Sequence, residues 1–122
     1  MIVSPKEMEA YHRTAQRQAL RDRERLKQRF ARAHETARRA AALLVTDFNV
    51  SRVEVFGSLV HPELFHDGSD IDLAVWGLDE FVYYRAVGRL QAVDPEFSID
   101  LVRIEEATES LQKRIRDEGV PL

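Results

Sequence analysis

The chain has 122 residues, no cysteine, and 18 Lys and Arg against 21 Asp and Glu. Its length fits one domain, the lack of cysteine excludes disulfide scaffolds and thiolate metal sites, and the longest apolar run, residues 40–45, is far shorter than the roughly 20 residues that span a bilayer. With 44% hydrophobic and 32% charged residues and no secretory signal at its start, the sequence predicts a soluble, cytoplasmic globular protein with no membrane contact.

The charges divide unevenly along the chain. Residues 1–50 carry 11 Lys and Arg against 6 acids, whereas residues 51–122 carry 7 against 15. A basic arm on an acidic body suggests a nucleic-acid contact through the arm, or a body that gathers carboxylates for a metal ion.

A long helix is predicted first. Ser4 and Pro5 are typical of an N-cap and a first helical residue, and residues 6–45 contain neither glycine nor proline. Such a helix is about 60 Å long, against a radius of gyration of roughly 14 Å for a compact chain of this size, so it breaks or overhangs. We divide the single domain into a long helical segment, residues 1–48, and a core, residues 49–122. The apolar residues at helical spacing are Leu26, Phe30, Ala33, Ala37, Ala40 and Leu44.

The core is predicted to alternate strands and helices. Runs of β-branched and aromatic residues predict strands over 53–56, 71–76 and 97–104, and apolar spacing predicts a helix over 81–90. A final short helix ends at Gly119. The expected fold is therefore of the α/β (α+β) class, a small mixed β-sheet with flanking helices. The helix over 81–90 is predicted from the spacing of Phe81, Tyr84, Val87 and Leu90.

Three aspartates of the core are the candidate metal ligands. Asp70 and Asp72 lie two residues apart on one predicted strand, so their side chains point to the same face. Asp100 lies on the third predicted strand and joins them if that strand pairs beside the second. Clustered carboxylates repel one another unless a cation balances them, and their oxygens suit a hard ion such as Mg²⁺.

Gly57 and Ser58, at the end of the first strand, are the candidate phosphate-binding residues. Glycine permits a close backbone approach, and a serine at a predicted helix start offers its hydroxyl and N–H to a phosphate. Alone, such a pair is usually a turn, and Asp-x-Asp is usually a solvated strand edge. Their ordered combination, with a spacer of 11 residues before Asp70, indicates binding of a nucleoside triphosphate and phosphoryl-type transfer.

This ordered pattern resembles the DNA polymerase β-like nucleotidyltransferase superfamily. By its small size the chain is most similar to the minimal nucleotidyltransferases, which are antitoxin partners of HEPN-domain ribonuclease toxins. The similarity covers about residues 53–122 and includes the tail, residues 115–120. Many members carry an arginine shortly after the glycine–serine pair, near the place where His61 stands in this chain. The residues that carry the resemblance are Gly57, Ser58, Asp70, Asp72 and Asp100.

The resemblance implies a Mg²⁺-dependent enzyme that transfers AMP from ATP to a tyrosine hydroxyl of a HEPN toxin, and so neutralises the toxin. Asp70, Asp72 and Asp100 would be the catalytic residues and would hold two Mg²⁺ ions, with Asp100 also suited to act as the general base. Gly57 and Ser58 would hold the β- and γ-phosphates.

Two other functions stay open at this point. In the first, the protein is a non-catalytic antitoxin that masks the toxin by contact, through its basic helix and the pair Arg85 and Arg89. In the second, it is a free-standing nucleotidyltransferase that acts on a small molecule. The basic helix is a solvated face or a surface for the toxin or for self-association. A nucleic-acid contact is least favoured, because no aromatic residue interleaves the arginines over 13–29. The nucleotide used, the number transferred and the stoichiometry are left open.

Overall fold

One helix, α1, occupies the first third of the chain. In the computed structural model, which describes residues 2–122, α1 runs over Pro5–Phe48 and Ser4 forms a capping box at its start. It ends at Asn49, whose φ of 56° lies in the left-handed region. Every side chain from residue 2 to 25 is exposed, so α1 is continuous and overhangs the core. No helix within the described residues is long and apolar enough to cross a membrane.

The centre of the core is a four-stranded mixed sheet in the order β3-β2-β1-β4. β2 runs antiparallel to β1 and parallel to β3, and α2 makes the crossover that a parallel pair requires. The predicted mixed sheet with flanking helices is confirmed. The edge strand β4 was not predicted, since two residues show no alternation. The strands are β1, Arg52–Phe56; β2, Ile71–Trp76; β3, Ile99–Arg103; and β4, Val120–Pro121; and α2 is Tyr83–Gln91.

The two faces of the sheet are covered differently. α1 and α2 pack on the face that carries the fully buried Leu73. On the other face the last helix, α3, Glu109–Glu118, packs through Ile115 against Ala74. Because side chains alternate along a strand, Asp72 points to this second face. Asp72, at the start of β2, is only half-buried there, so this part of the second face is open to solvent.

The face that α2 presents to the core differs in part from the prediction. Leu90 is buried as expected, but Phe81 and Tyr84 are 88% and 85% exposed. A 3-10 turn, Glu80–Val82, precedes α2, which starts only at Tyr83. Since a 3-10 turn has 3.0 residues per turn rather than 3.6, the helical spacing that starts from Phe81 does not continue into α2.

Arginines in the middle of α1 hold the loops of the core. Arg32 donates two hydrogen bonds to Asp94, at 3.0 and 3.1 Å, and Thr36 donates a third at 3.1 Å. Arg25 donates to both carboxylate oxygens of Asp67, at 3.0 and 3.1 Å. Part of the positive charge of α1 is therefore neutralised within the molecule, by ion pairs with acidic residues in the loops of the core.

Candidate functional site

Two carboxyl groups meet where β2 and β3 run side by side. Asp72 and Asp100 are Cα partners in the parallel register, so their side chains emerge on the same face of the sheet. The two groups lie close enough for the negative charge of Asp100 to raise the pKa of Asp72. Asp100 is exposed, whereas Asp72 is half-buried. The pairing of the second and third strands on which this proximity depends is therefore present.

The environment of Asp72 opposes its ionisation. Burial, followed by the negative charges of Asp100 and Asp70, raises the pKa of Asp72 to about 6, and the nearby cation of Arg114 offsets part of this rise. A carboxylate in this position gains when a cation arrives, because the positive charge relieves both the desolvation and the like-charge repulsion.

Asp70 stands at the edge of this pair. It immediately precedes β2, it is exposed, and its charge reaches Asp72. Among residues 2–122, no three His, Asp or Glu side chains are gathered into a ready-made metal cage. Mg²⁺ in phosphate-binding sites is usually held by one or two carboxylates together with the phosphates and water. The all-oxygen donor set of Asp72 and Asp100 fits that requirement, with Asp70 as the next nearest acidic group.

The end of β1 lies directly against Asp72. Gly57 has a φ of 73°, and a Cβ atom at this position would lie 2.2 Å from Oδ2 of Asp72. Both the positive φ and the close approach require glycine. Ser58 follows in a 3-10 turn, Gly57–Val60, so the predicted helix start is a single short turn. The structure thus brings the glycine–serine pair beside the carboxyl pair.

A second set of side chains borders the site: His61, which stands near the place of the family's arginine, and two residues of α3 that the sequence did not identify as site residues. His61 Nε2 lies 2.7 Å from one carboxylate oxygen of Glu118, and Arg114 Nε donates to the other at 2.9 Å. The hydrogen bond from His61, and then that from Arg114, hold the pKa of Glu118 below its usual range although burial opposes this. Because an ionised carboxylate only accepts, Nε2 of His61 carries the hydrogen. The i,i+4 spacing of Arg114 and Glu118 is visible in the sequence. The contact with His61, 57 residues away, is not.

A family comparison covers this part of the chain. The family described as "Polymerase beta, Nucleotidyltransferase" matches residues 39–122, which is more than half of the chain and includes every residue of the site. No curated protein matches the sequence.

Solved structures share the fold. A toxin–antitoxin with AMP-PNP is 24% identical, with 68% of this chain and 69% of that chain covered and a TM-score of 0.57. A tri-AMPylated Shewanella oneidensis HEPN toxin in complex with MNT antitoxin is 20% identical, with 73% and 70% covered and a TM-score of 0.56. A third structure, described as a minimal nucleotidyltransferase, is 24% identical, with 80% and 95% covered and a TM-score of 0.56.

Proposed function

We propose, from the premise that this chain belongs to the polymerase β nucleotidyltransferase family, that it is a minimal nucleotidyltransferase antitoxin that transfers AMP from ATP to a tyrosine hydroxyl of a HEPN toxin. The observation that carries the proposal is the carboxyl pair of Asp72 and Asp100 held against the close backbone turn at Gly57. The likeness to a toxin–antitoxin with AMP-PNP and to a complex of an AMPylated HEPN toxin supports the choice of donor and acceptor.

Binding of the nucleotide is assigned to two groups of residues. Asp70, Asp72 and Asp100 would hold Mg²⁺, which when bound neutralises phosphate charge and makes a hydroxyl easier to deprotonate. Gly57, which lacks a Cβ, lets a phosphate approach the backbone, and Ser58 offers its hydroxyl and N–H to the β- and γ-phosphates.

The transfer itself is an in-line substitution at the α-phosphorus of ATP. The acceptor oxygen forms a bond to this phosphorus, the bond to the bridging oxygen of the β-phosphate breaks, and pyrophosphate leaves. Asp100 is exposed beside Asp72 and acts as the general base that takes the proton of the acceptor hydroxyl. Since no covalent enzyme intermediate is needed, the task of the chain is to position the reactants and to balance charge.

Exposed aromatic side chains at the start of α2 suit a protein partner. Phe81 and Tyr84 expose almost their whole side chains at the start of α2. The ring of the adjacent Tyr83 lies 5.3 Å from that of Tyr84, and its hydroxyl donates to the carbonyl of Leu101, next to Asp100, at 2.6 Å. Exposed aromatic side chains are enriched where proteins bind one another, so Phe81 and Tyr84 suit a contact with a protein partner.

Mass spectrometry tests the proposal directly. The purified protein is incubated with ATP, Mg²⁺ and the HEPN toxin encoded beside it, and the toxin is examined for tyrosine that carries AMP. We expect transfer by the unaltered protein and by the control Asp22→Asn, which removes an exposed charge on α1 far from the site, but none by Asp72→Asn or Asp100→Asn. Absence of AMP on a toxin that is nevertheless fully inhibited would overturn the enzymatic proposal.

A masking antitoxin is the second candidate function. It is favoured by one observation, namely that every side chain from residue 2 to 25 of the long first helical segment is exposed and open to contact with a partner. Growth of cells that express the toxin separates the two functions. Asp72→Asn should lose protection if the protein is an enzyme, whereas a masking protein would still protect the cells.

A further inference from the structure

We propose that Arg114 supplies the cation that contacts the triphosphate of the bound nucleotide, and that Glu118 and His61 are positioning residues that aim it. This inference rests on the proposed function, because it names the group that meets the β- and γ-phosphates in that reaction.

A chain of contacts leads from the phosphate-binding turn to Arg114. The backbone N–H of His61 donates to the carbonyl of Ser58 at 3.2 Å, so the imidazole is tied to the proposed phosphate-binding turn. The imidazole donates to Glu118, and Glu118 accepts from Arg114 Nε. The guanidinium lies over the ring of Phe56, which leads into the turn and is the Cα partner of Asp72, and its positive charge reaches Asp72. A nucleotide that spans the turn and the carboxyl pair would bring its phosphates close to this side chain.

Arg114 has free capacity for a ligand. Of its nitrogens, Nε is the one hydrogen-bonded within residues 2–122, so both terminal nitrogens remain to donate. The side chain is 56% exposed, and its guanidinium carbon lies 5.9 Å from the ring centre of Phe56, the residue before Gly57. A guanidinium that is held at Nε and open at its two ends presents the parallel donors that match a phosphate.

The position of Glu118 is set by the fold rather than by this pair alone. Gly119 ends α3, and a Cβ atom there would lie 2.4 Å from Oε1 of Glu54 in β1. The next residue, Val120, pairs with Val55 of β1. The end of α3 is thereby locked to the strand that leads into the phosphate-binding turn. Because Glu118 is held in this way, its hydrogen bond with Arg114 restricts the arginine side chain before a ligand binds. Arg114 therefore loses less conformational entropy when it binds a phosphate.

Nucleotide affinity provides a test that does not depend on transfer. The Kd values of Mg·ATP and of AMP are measured by displacement of a fluorescent ATP analogue. We expect Arg114→Gln to weaken ATP binding by about 10- to 100-fold, the range for loss of a charged hydrogen bond, and AMP binding by less than about threefold. Arg114→Lys, which keeps the charge but loses the fork, should lie between. Arg116→Gln removes the same charge from the opposite side of α3, where it borders a cleft with Arg52 and Trp76, and should leave both affinities unchanged.

The positioning residues are tested by the same ratio of affinities. Glu118→Gln and His61→Ala should weaken ATP binding by a few-fold and leave AMP binding unchanged, whereas a purely structural role would weaken both together. Equal ATP affinity of Arg114→Gln and the unaltered protein would overturn this inference and leave the proposed function standing. Failure of the unaltered protein to bind ATP at all would overturn the proposed function, and this inference with it.

Discussion

The substitution Asp72→Asn is expected to make the metal-free protein more stable while it abolishes nucleotide transfer. In the native protein at pH 8, Asp72 is ionised although burial and the charge of Asp100 oppose this. Asparagine has the same shape but carries no charge, so neither the burial nor the charge of Asp100 opposes it. Because the charge lowers the free energy of unfolding, its removal should raise that free energy.

The magnitude follows from the pKa of Asp72. A rise from the model-peptide value of 3.8 to about 6 corresponds to about 3 kcal/mol as an upper limit, at 1.36 kcal/mol per pH unit. The carboxyl group is only half-buried, so screening by solvent reduces this to about 1–2 kcal/mol. For a domain of this size, the midpoint of thermal unfolding should rise by about 3–8 °C.

The sign of the pH dependence supplies a second check. Because the native pKa of Asp72 lies above the unfolded one, the native state binds more protons between about pH 4 and 6. The penalty from Asp72 is thus fully present above pH 6 and disappears as the pH falls toward 4, so the advantage of Asp72→Asn should shrink in acid.

Thermal unfolding followed by circular dichroism in EDTA, at pH 8 and at pH 5, measures both effects. Asp22→Asn is the control for loss of an exposed carboxylate and should change nothing at either pH. In the double variant Asp72→Asn/Asp100→Asn the gain should be less than the sum of the single gains, since both remove the same repulsion. A lower unfolding midpoint for Asp72→Asn at pH 8, or an equal advantage at both pH values, would refute this reasoning.

Two further substitutions test the backbone of the site and the anchor of α1. Gly57→Ala should cost about 1–3 kcal/mol of stability and displace Asp72, because Gly57 has a positive φ and a Cβ atom there would approach Asp72 to 2.2 Å. Gly88→Ala, at an open position in α2, should be neutral or stabilising in the same thermal unfolding assay. Asp94→Asn should cost about 2 kcal/mol at pH 7, since Asp94 is buried and accepts from Arg32 and Thr36. The backbone N–H of Glu96 and the hydrogen bonds from Arg32 and Thr36 keep the pKa of Asp94 below its usual range although burial opposes this. The stability that these bonds provide should therefore be lost below about pH 4, and the gap to Asp94→Asn, measured by urea unfolding, should close there.

The secondary structure was predictable to the extent that it depends on neighbouring residues. The spacing from Leu26 to Leu44 predicted the buried face of α1, and alternation predicted β2, because both patterns repeat over a few residues. Phe81 shows where this reasoning fails. A 3-10 turn before α2 interrupts the helical period, and nothing in the apolar spacing reveals that turn.

The site was predictable in its residue types but not in its assembly. The spacing of Asp70 and Asp72 places them on one face of any strand, since side chains alternate. Whether Asp100 joins them depends on the parallel pairing of β3 with β2, which packing of the whole core decides. The same holds for Glu118, whose partner His61 lies 57 residues away.

By itself, the sequence determined the long first helix, the mixed fold, the family and the candidate aspartates, because these follow from local periodicity and from a short ordered motif. The tertiary structure alone decided that α1 overhangs without breaking, that its arginines meet the acidic loops at Asp67 and Asp94, and that the charge of Arg114 reaches Asp72. These outcomes depend on contacts between residues distant in the chain, and the sheet register and the packing of α3 bring such residues together.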